Sequence, residues 1–229
     1  MNYKNFCIYS REFLFGKKDS RKGRDQVQAK FLWAQIFNDN IYKAIKSDIN
    51  MQKIGKVAYN SGAIIVGNGY ELYLSNKIEV PKGTYEVTFL CDEDKERPLI
   101  RLNYTNNKNP VAPEKMVKSV KTSLEVISII DADDFQEIRN SDSRSQYMKE
   151  DAAIWRDLAD EMAVTEYELC EIDKMEPANT PVILTGNPGD GRVDIVYGLD
   201  KSGKITEIYI EVLDKDIVAG ILSEKNINL

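Results

Sequence analysis

Short apolar runs separated by turn residues fill residues 53–104 and constrain the fold more than any other feature of the sequence. In residues 84–91, apolar side chains alternate with polar ones, which is the period of a strand with one buried face. Gly67-Asn68-Gly69 and Pro81-Lys82-Gly83 are turn clusters that break the runs. Five or six strands at this spacing predict a small antiparallel sheet, a sandwich or a barrel.

Upstream of these strands, residues 25–48 carry apolar side chains at the spacing of an amphipathic helix. The stripe consists of Trp33, Phe37, Ile41, Ala44, Ile45 and Ile49. Other apolar residues widen the stripe, so such a helix must be covered on more than one side, by its own domain or by a neighbouring subunit. Trp33, Phe37 and Ile41 are therefore candidate interface residues.

The second half of the chain predicts both helices and strands. Pro113 suits the first position of a helix, and Glu114 suits its positive end. Residues 123–130 fit either the end of that helix or a buried strand, and residues 148–162 predict an amphipathic helix with an acidic outer face. Strands and a short closing helix are predicted near the C-terminus, over residues 181–185, 193–197, 205–213 and 214–226.

Together these patterns predict an α+β fold. It would contain an N-terminal amphipathic helix, a small antiparallel β-sheet or sandwich, an acidic helical middle and a C-terminal β-hairpin. We predict a basic arm over 1–24, a helix with an antiparallel β domain over 25–109, and a helical segment with the hairpin and short helix over 110–229. One continuous domain over 25–229 is the alternative.

Charge is distributed unevenly along a chain whose net charge is −6. Residues 131–176 hold 15 acidic and 5 basic side chains, whereas residues 1–30 hold 8 basic and 3 acidic ones. A basic arm of this kind could grip phosphates, dock on an acidic surface or form a solvated loop. Its candidate interface residues are Arg11, Phe13, Phe15, Lys17, Lys18, Arg21, Lys22 and Arg24.

The chain contains no histidine, which excludes Ser-His-Asp triads, Cys-His dyads and His-ligated zinc. Its three cysteines are far apart and form no CxxC motif, so we expect a reducing, intracellular setting. No apolar run approaches the roughly 18–20 residues of a membrane span. We therefore expect a cytoplasmic protein, or a virion protein if the chain is phage-encoded.

Residues 182–193 resemble the phosphate loop of AAA-type ATPases, because an apolar run precedes Gly186 and Gly191 at the G-x-x-x-x-G spacing. That loop wraps main-chain amides around phosphates and adds a Lys and a Ser/Thr hydroxyl. Here Arg192 stands at the Lys position and Val193 at the hydroxyl position. The following residues alternate as in a strand, so the alternative is a Pro-Gly turn between two strands.

Residues 189–196 and 208–211 resemble the central hairpin of PD-(D/E)xK nucleases, in which Asp and Glu on neighbouring strands bind Mg²⁺. The resemblance implies that Asp194 and Glu211 would be the metal ligands. Leu213 occupies the position of the Lys in that family, and Lys215 is two residues out of register. A Mg²⁺-dependent nuclease is therefore one alternative, and a plain solvent-facing hairpin is the other.

The acidic segment Asp131-Ala132-Asp133-Asp134 follows an apolar run and resembles the metal-binding turn of family 2-type glycosyltransferases. That family opens with a nucleotide-binding βα unit, whereas residues 1–60 predict an arm and a helix. The alternative is a helix N-cap, with Asp131 or Asp133 capping a turn through Ile138.

Each enzyme motif lacks partner residues, so we expect a non-enzymatic structural or assembly subunit without a cofactor. A bacteriophage connector or tail-ring protein is one example. Its partners would be other protein subunits, in a homo-oligomer or a ring within a larger assembly, with nucleic acid contacted only through the basic arm and no membrane contact. A further alternative is an acidic inhibitory binding protein that uses residues 131–176 to imitate nucleic acid.

Overall fold

The computed structural model describes residues 33–37, 39–68, 76–91, 98–111, 113–122, 126–140, 169–170, 182–186 and 191–227. Within these ranges the chain consists mostly of strands, which form two antiparallel sheets, and of a few short helices. The helices are α1 (Trp33–Ile36), α2 (Asp39–Ile45), α3 (Ala132–Asn140) and α4 (Lys215–Glu224).

The described strands form a six-stranded sheet of order β1-β4-β5-β11-β10-β6 and a five-stranded sheet of order β3-β2-β7-β9-β8. Their bounds are β1 (Asn50–Tyr59), β2 (Ala63–Asn68), β3 (Asn76–Glu79), β4 (Gly83–Cys91), β5 (Leu99–Tyr104), β6 (Glu114–Thr122), β7 (Val126–Asp131), β8 (Leu169–Cys170), β9 (Val182–Gly186), β10 (Gly191–Leu199) and β11 (Ile205–Glu211).

The two sheets pack against each other around one apolar core. Val87 and Phe89 of β4 are fully buried there, together with Ile64 of β2 and Ile129 of β7. Their neighbour Glu86 points away and is exposed, because successive side chains of a strand alternate between its faces. Burial of each large apolar side chain contributes about 1.5–3 kcal/mol, so this interior holds the sandwich together.

A second apolar cluster lies on the other face of the six-stranded sheet, where α1, α2 and α4 cover it. Trp33 of α1, Ile45 of α2 and Val218 of α4 are buried against Leu90 and Tyr209 of the sheet. The described residues therefore form three layers, with the six-stranded sheet in the middle.

Three tyrosine hydroxyls fasten residues 79–82, the connection that carries the chain from the five-stranded sheet to the six-stranded one. Tyr197 donates to the carbonyl oxygen of Glu79, Tyr85 to that of Pro81 at 2.5 Å and Tyr104 to that of Lys82 at 2.9 Å. Gly83 follows with a positive φ of 141°, and a Cβ there would lie 2.8 Å from Cε2 of Tyr104. The connection is thus held closely by β4, β5 and β10, and we call it the tyrosine clamp.

The predicted α+β class is wrong, because strands dominate the described residues. Neither the N-terminal amphipathic helix nor the acidic helical middle is seen in them. The apolar stripe does pack on the sheet, but in two short helices, α1 and α2. The second of them starts at Asp39, within the sequence Asn38-Asp39-Asn40, whose side chains compete for main-chain hydrogen bonds and favour helix ends. Residues 148–162 lie outside the described ranges.

The helix predicted to start at Pro113 is also wrong, because β6 begins at Glu114. Val117, Val120 and Thr122 are β-branched and favour a strand, and a proline is tolerated where an edge strand starts. Of the ambiguous residues 123–130, the described ones, 126–130, lie in a strand, β7, rather than in a helix. Both sheets therefore draw strands from 25–109 and from 110–229, so these two segments share one core.

The C-terminal hairpin is present, since β10 and β11 pair antiparallel from Asp194 opposite Glu211 to Leu199 opposite Ile205. Asp214 caps α4 by accepting a hydrogen bond from the Asp216 N–H at 2.8 Å. This cap starts the short closing helix immediately after the hairpin.

Candidate functional site

The most exposed apolar surface of the described chain lies on β6, the last strand of the six-stranded sheet. Met116 is 63 % exposed and Val117 is 39 % exposed, and among the described residues these are the exposed large apolar side chains. β6 pairs with β10 on one side, and no described strand pairs with its other side. An edge of this kind presents main-chain N–H and C=O groups that can pair with another strand. We therefore take the β6 edge as the candidate contact surface.

Positive charge accompanies these apolar side chains. Lys115 and Lys121 are exposed and Lys118 is half-buried, and Lys121 lies opposite the exposed Arg192 of β10. The register with β10 shifts beside Val117, which leaves that residue as a β-bulge. Lysines and bulges on an edge strand prevent it from pairing with its own kind. Among the described strands the free side of β6 is thus unpaired, and its lysines and bulge disfavour pairing with another basic strand.

Glu114, the first residue of β6, lies beneath α1. Its Oε1 accepts a hydrogen bond from the main-chain N–H of Ala34 at 2.9 Å, and its buried Oε2 accepts none from a described residue. Burial raises the pKa of the Glu114 carboxyl to about 7, although the Ala34 N–H and Lys215 act in the opposite direction. The junction of β6 with α1 therefore contains a carboxyl group that changes its charge near neutral pH.

A partly buried ion pair lies on the same sheet face, between Arg101 of β5 and Glu207 of β11. Arg101 donates to both carboxylate oxygens, and the Nε bond is 2.8 Å long. The hydroxyl of Tyr209 also donates to Glu207, and burial together with this carboxylate raises the pKa of Tyr209. The Phe37 ring covers the pair, with the Arg101 Cζ 4.4 Å from its centroid. This bidentate pair fixes the end of α1 on the sheet.

Asp194 and Glu211, the residues suggested by the nuclease resemblance, lie directly opposite each other on β10 and β11. The carboxylate of Glu211 is engaged, because Lys215 lies 2.8 Å away and the Trp33 indole N–H donates to the same oxygen. Burial nevertheless raises the pKa of Glu211. In the ranges that the structure covers, no three His, Cys, Asp or Glu side chains are grouped to hold a metal ion. The Asp194–Glu211 metal site stays a prediction.

The predicted interface residues fall into two groups. Trp33 is fully buried in the helix layer, while Phe37 and Ile41 are partly buried and pack against the same cluster. These three residues cover the face of their own sheet. The arm residues Arg11, Phe13, Phe15, Lys17, Lys18, Arg21, Lys22 and Arg24 lie outside the described residues.

The other two motifs have local structural roles where they are described. Asp131 ends β7 and accepts hydrogen bonds from the main-chain N–H groups of Asn60, Ser61 and Asp133, so it caps α3 and joins it to the β1–β2 turn. Gly191 begins β10, so a strand rather than a helix follows the segment that resembles a phosphate loop. The anion site of a helix N-terminus is not formed there.

The β6 edge was missed in the sequence because Pro113 and Glu114 are typical of a helix start. The signal that could have revealed it is the spacing of Lys115, Lys118 and Lys121 among β-branched residues. Lysines are the residues with which exposed edge strands are commonly protected.

Comparison with protein-family models, with curated proteins and with solved structures gives no match for this chain. In the part that the structure describes, no helix is both long and apolar enough to cross a membrane.

Proposed function

We propose that the protein is a non-enzymatic subunit of a larger protein assembly, of the kind that forms a bacteriophage connector or tail ring, and that it contacts a partner through β6. The observation that carries the proposal is the pair of exposed apolar residues, Met116 and Val117, on a strand edge that no described strand pairs with. Its setting would be the cytoplasm, or the virion if the chain is phage-encoded.

The chemistry of β6 favours an extended acidic segment as the partner. Lys115 and Met116 are successive residues of the strand, so their side chains lie on opposite faces of the sheet. A strand that alternates carboxylate and apolar side chains would place an opposite charge beside Lys115 and an apolar group beside Met116. Cross-strand pairs of both kinds stabilise a sheet, and strand addition supplies main-chain hydrogen bonds as well.

A second β6 strand is a poor partner, because like charges directly opposite each other destabilise a sheet. A ring of identical subunits would therefore use different patches on its two sides. The basic arm over residues 1–24 and the acidic region over 131–176 supply such a pair of patches in the sequence.

Binding of a labelled peptide tests the β6 contact. The probe is an acetylated peptide of about eight residues that alternates glutamate and valine, titrated with the full chain while fluorescence anisotropy is recorded. We expect it to bind, and we expect binding to weaken about tenfold or more when salt rises from about 50 to about 500 mM. The triple variant Lys115→Glu, Lys118→Glu, Lys121→Glu should lose binding.

Three controls separate strand addition from simple charge attraction. A lysine–valine peptide should not bind, and an N-methylated copy of the acidic peptide should bind at least about tenfold more weakly, because its methylated amides cannot donate main-chain hydrogen bonds to β6. The variant Lys43→Glu, Lys46→Glu, Lys201→Glu changes the same charge elsewhere and should bind normally. Equal binding of the methylated peptide, or equal losses in both triple variants, would refute the β6 contact.

Self-association through the arm is tested separately by size-exclusion chromatography with light scattering. We expect a salt-sensitive oligomer that dissociates when Lys17, Lys18, Arg21, Lys22 and Arg24 are made neutral. A monomer at all protein concentrations, unchanged by these substitutions, would rule out docking of the arm.

A further inference from the structure

A pocket of about 440 Å³ opens at the end of the sandwich, where the tyrosine clamp meets the β10–β11 hairpin. This volume is within the range of ligand sites in proteins. The lining is mostly apolar and includes two tyrosines and three aliphatic residues. The lining residues are Glu79, Val80, Pro81, Tyr104, Asn107, Tyr197, Gly203, Lys204 and Ile205.

One wall of the pocket is fixed by the tyrosine clamp. Tyr104 and Tyr197 each use their hydroxyl to hold a carbonyl of residues 79–82, so their rings cannot turn away without breaking those bonds. Tyr104 also packs against Tyr85, with the ring centroids 5.2 Å apart. Ring faces held in place in this way favour binding, because little side-chain freedom is lost when a ligand arrives.

The opposite wall is fixed by the hairpin turn, which Asp200 organises. Its Oδ1 accepts hydrogen bonds from the N–H groups of Ser202 at 2.8 Å and Lys204 at 3.0 Å, and its Oδ2 accepts one from Asn109 at 2.9 Å. The bonds from Ser202 and Asn109 keep the pKa of Asp200 well below its usual range. Its negative charge is therefore directed into the turn, and the turn holds Lys204 at the pocket.

The rim carries a positive charge that no described residue neutralises. Lys204 is exposed and forms no ion pair with a described residue, whereas the lining Glu79 is paired with Lys77 at 3.6 Å. Lys82, which follows the lining residue Pro81, is exposed as well. A ligand that carries an anionic group is thus favoured over a neutral or cationic one.

We infer that this pocket binds a nucleotide, with the flat base against the rings of Tyr104 and Tyr197 and the phosphate near Lys204. Aromatic side chains stack on any base, and a nearby lysine attracts the phosphate, so the two features together match this ligand class. The pocket shares no lining residue with β6, and the inference is therefore independent of the proposed assembly contact.

The test is a calorimetric titration of the full chain with adenosine 5′-monophosphate and with adenosine. We expect the monophosphate to bind more tightly, and Lys204→Gln to weaken it about fivefold to tenfold while leaving adenosine unchanged. Lys201→Gln, in the same turn but outside the pocket lining, should change binding less than about twofold. Tyr104→Leu should lose about tenfold by removing the ring, whereas Tyr104→Phe, which keeps the ring but loses its hydrogen bond to the Lys82 carbonyl, should lose only about twofold to threefold.

A further titration, with a short single-stranded oligodeoxyadenylate, distinguishes a free nucleotide from a nucleotide within a single strand as the ligand. Tighter binding than the monophosphate supports a single strand as the ligand, and weaker binding supports the free nucleotide. The inference is overturned if neither form binds, if adenosine binds as tightly as its monophosphate, or if Lys204→Gln and Lys201→Gln have equal effects. It is also overturned if Tyr104→Leu, shown to be folded by circular dichroism, binds normally.

Discussion

Glu114 is a carboxyl group at a position where ionisation is costly. Its surroundings are the Ala34 N–H, the cation of Lys215 and the carboxylates of Glu211 and Glu207, and burial outweighs the two favourable contacts. The folded chain therefore holds the Glu114 proton up to a pH of about 7, whereas an unperturbed Glu has a pKa of 4.5. Protonation at this residue favours the folded state over that interval.

The predicted consequence is a pH-dependent stability that Glu114→Gln reduces. In the wild type, this residue contributes its full stability below pH 4.5, and the contribution is lost as the pH rises through 7. The free energy of unfolding should fall by about 3 kcal/mol over this window because of Glu114, since its pKa rises from 4.5 to about 7 and one pKa unit corresponds to about 1.4 kcal/mol. Urea unfolding at several pH values should show a flatter dependence for Glu114→Gln.

Glu224→Gln, on the exposed side of α4, is the matched control and should leave the pH dependence unchanged. Glu211 also has a raised pKa, so part of the decrease remains in the Glu114 variant. Parallel curves for the wild type and Glu114→Gln would contradict the prediction.

At the scale of single elements, the tyrosine clamp shows how a connection between two sheets is fixed. Tyr85 and Tyr59 are neighbours in the core, with ring centroids 5.4 Å apart. The Tyr85 hydroxyl donates to the Pro81 carbonyl, whereas the buried Tyr59 hydroxyl bonds to no described residue. The same chemical group is therefore stabilising in one position and costly in the other.

Two phenylalanine variants should accordingly have opposite effects on the free energy of unfolding. Tyr85→Phe leaves the Pro81 carbonyl without its donor, and we expect a loss of about 1–2 kcal/mol. Tyr59→Phe removes a polar group that gains nothing from burial, and we expect no loss or a gain of up to about 1 kcal/mol. Urea unfolding of both variants at one pH measures the difference. Equal losses would contradict the prediction that the Tyr85 hydroxyl stabilises the fold and the Tyr59 hydroxyl does not.

Strands in which apolar and polar side chains alternate regularly were predictable from the sequence. Features that depend on residues distant in the sequence were not. The alternation in 84–91 and the hairpin of β10 and β11 follow from local sequence, because one face of each strand is buried. The strand β6 was not predicted, because its lysines are typical of an edge strand. Whether a strand lies at an edge depends on the order of the strands in the sheet, which the local sequence does not reveal. The pairing of Asp194 with Glu211 was suggested by sequence, but the competing contacts of Glu211 with α1 and α4 come from tertiary packing.

For the whole molecule, the choice of partner at β6 depends on the local positive charge of that strand more than on the net charge of −6. The β6 edge is basic on a chain that is acidic overall, and its lysines stand beside the exposed Met116 and Val117. Without the lysines the strand would combine apolar, β-branched residues with an open edge, which is the composition of an aggregation-prone segment. In the proposed contact the same three charges would have two roles, to attract an acidic segment and to keep β6 strands apart.

The second role gives a prediction that does not depend on identifying a partner. The variant Lys115→Thr, Lys118→Thr, Lys121→Thr keeps a strand-favouring sequence but removes the repulsion, so we expect its β6 strands to pair with each other. Sedimentation velocity at about 500 mM salt, where contacts between exposed charges are screened, should show a dimer or larger species for this variant and a slower species for the wild type. Lys43→Thr, Lys46→Thr, Lys201→Thr removes the same charge away from β6 and should sediment like the wild type. If the β6 variant also sediments like the wild type, the lysines do not protect the edge, and the exposed Met116 and Val117 are insufficient to drive strand pairing.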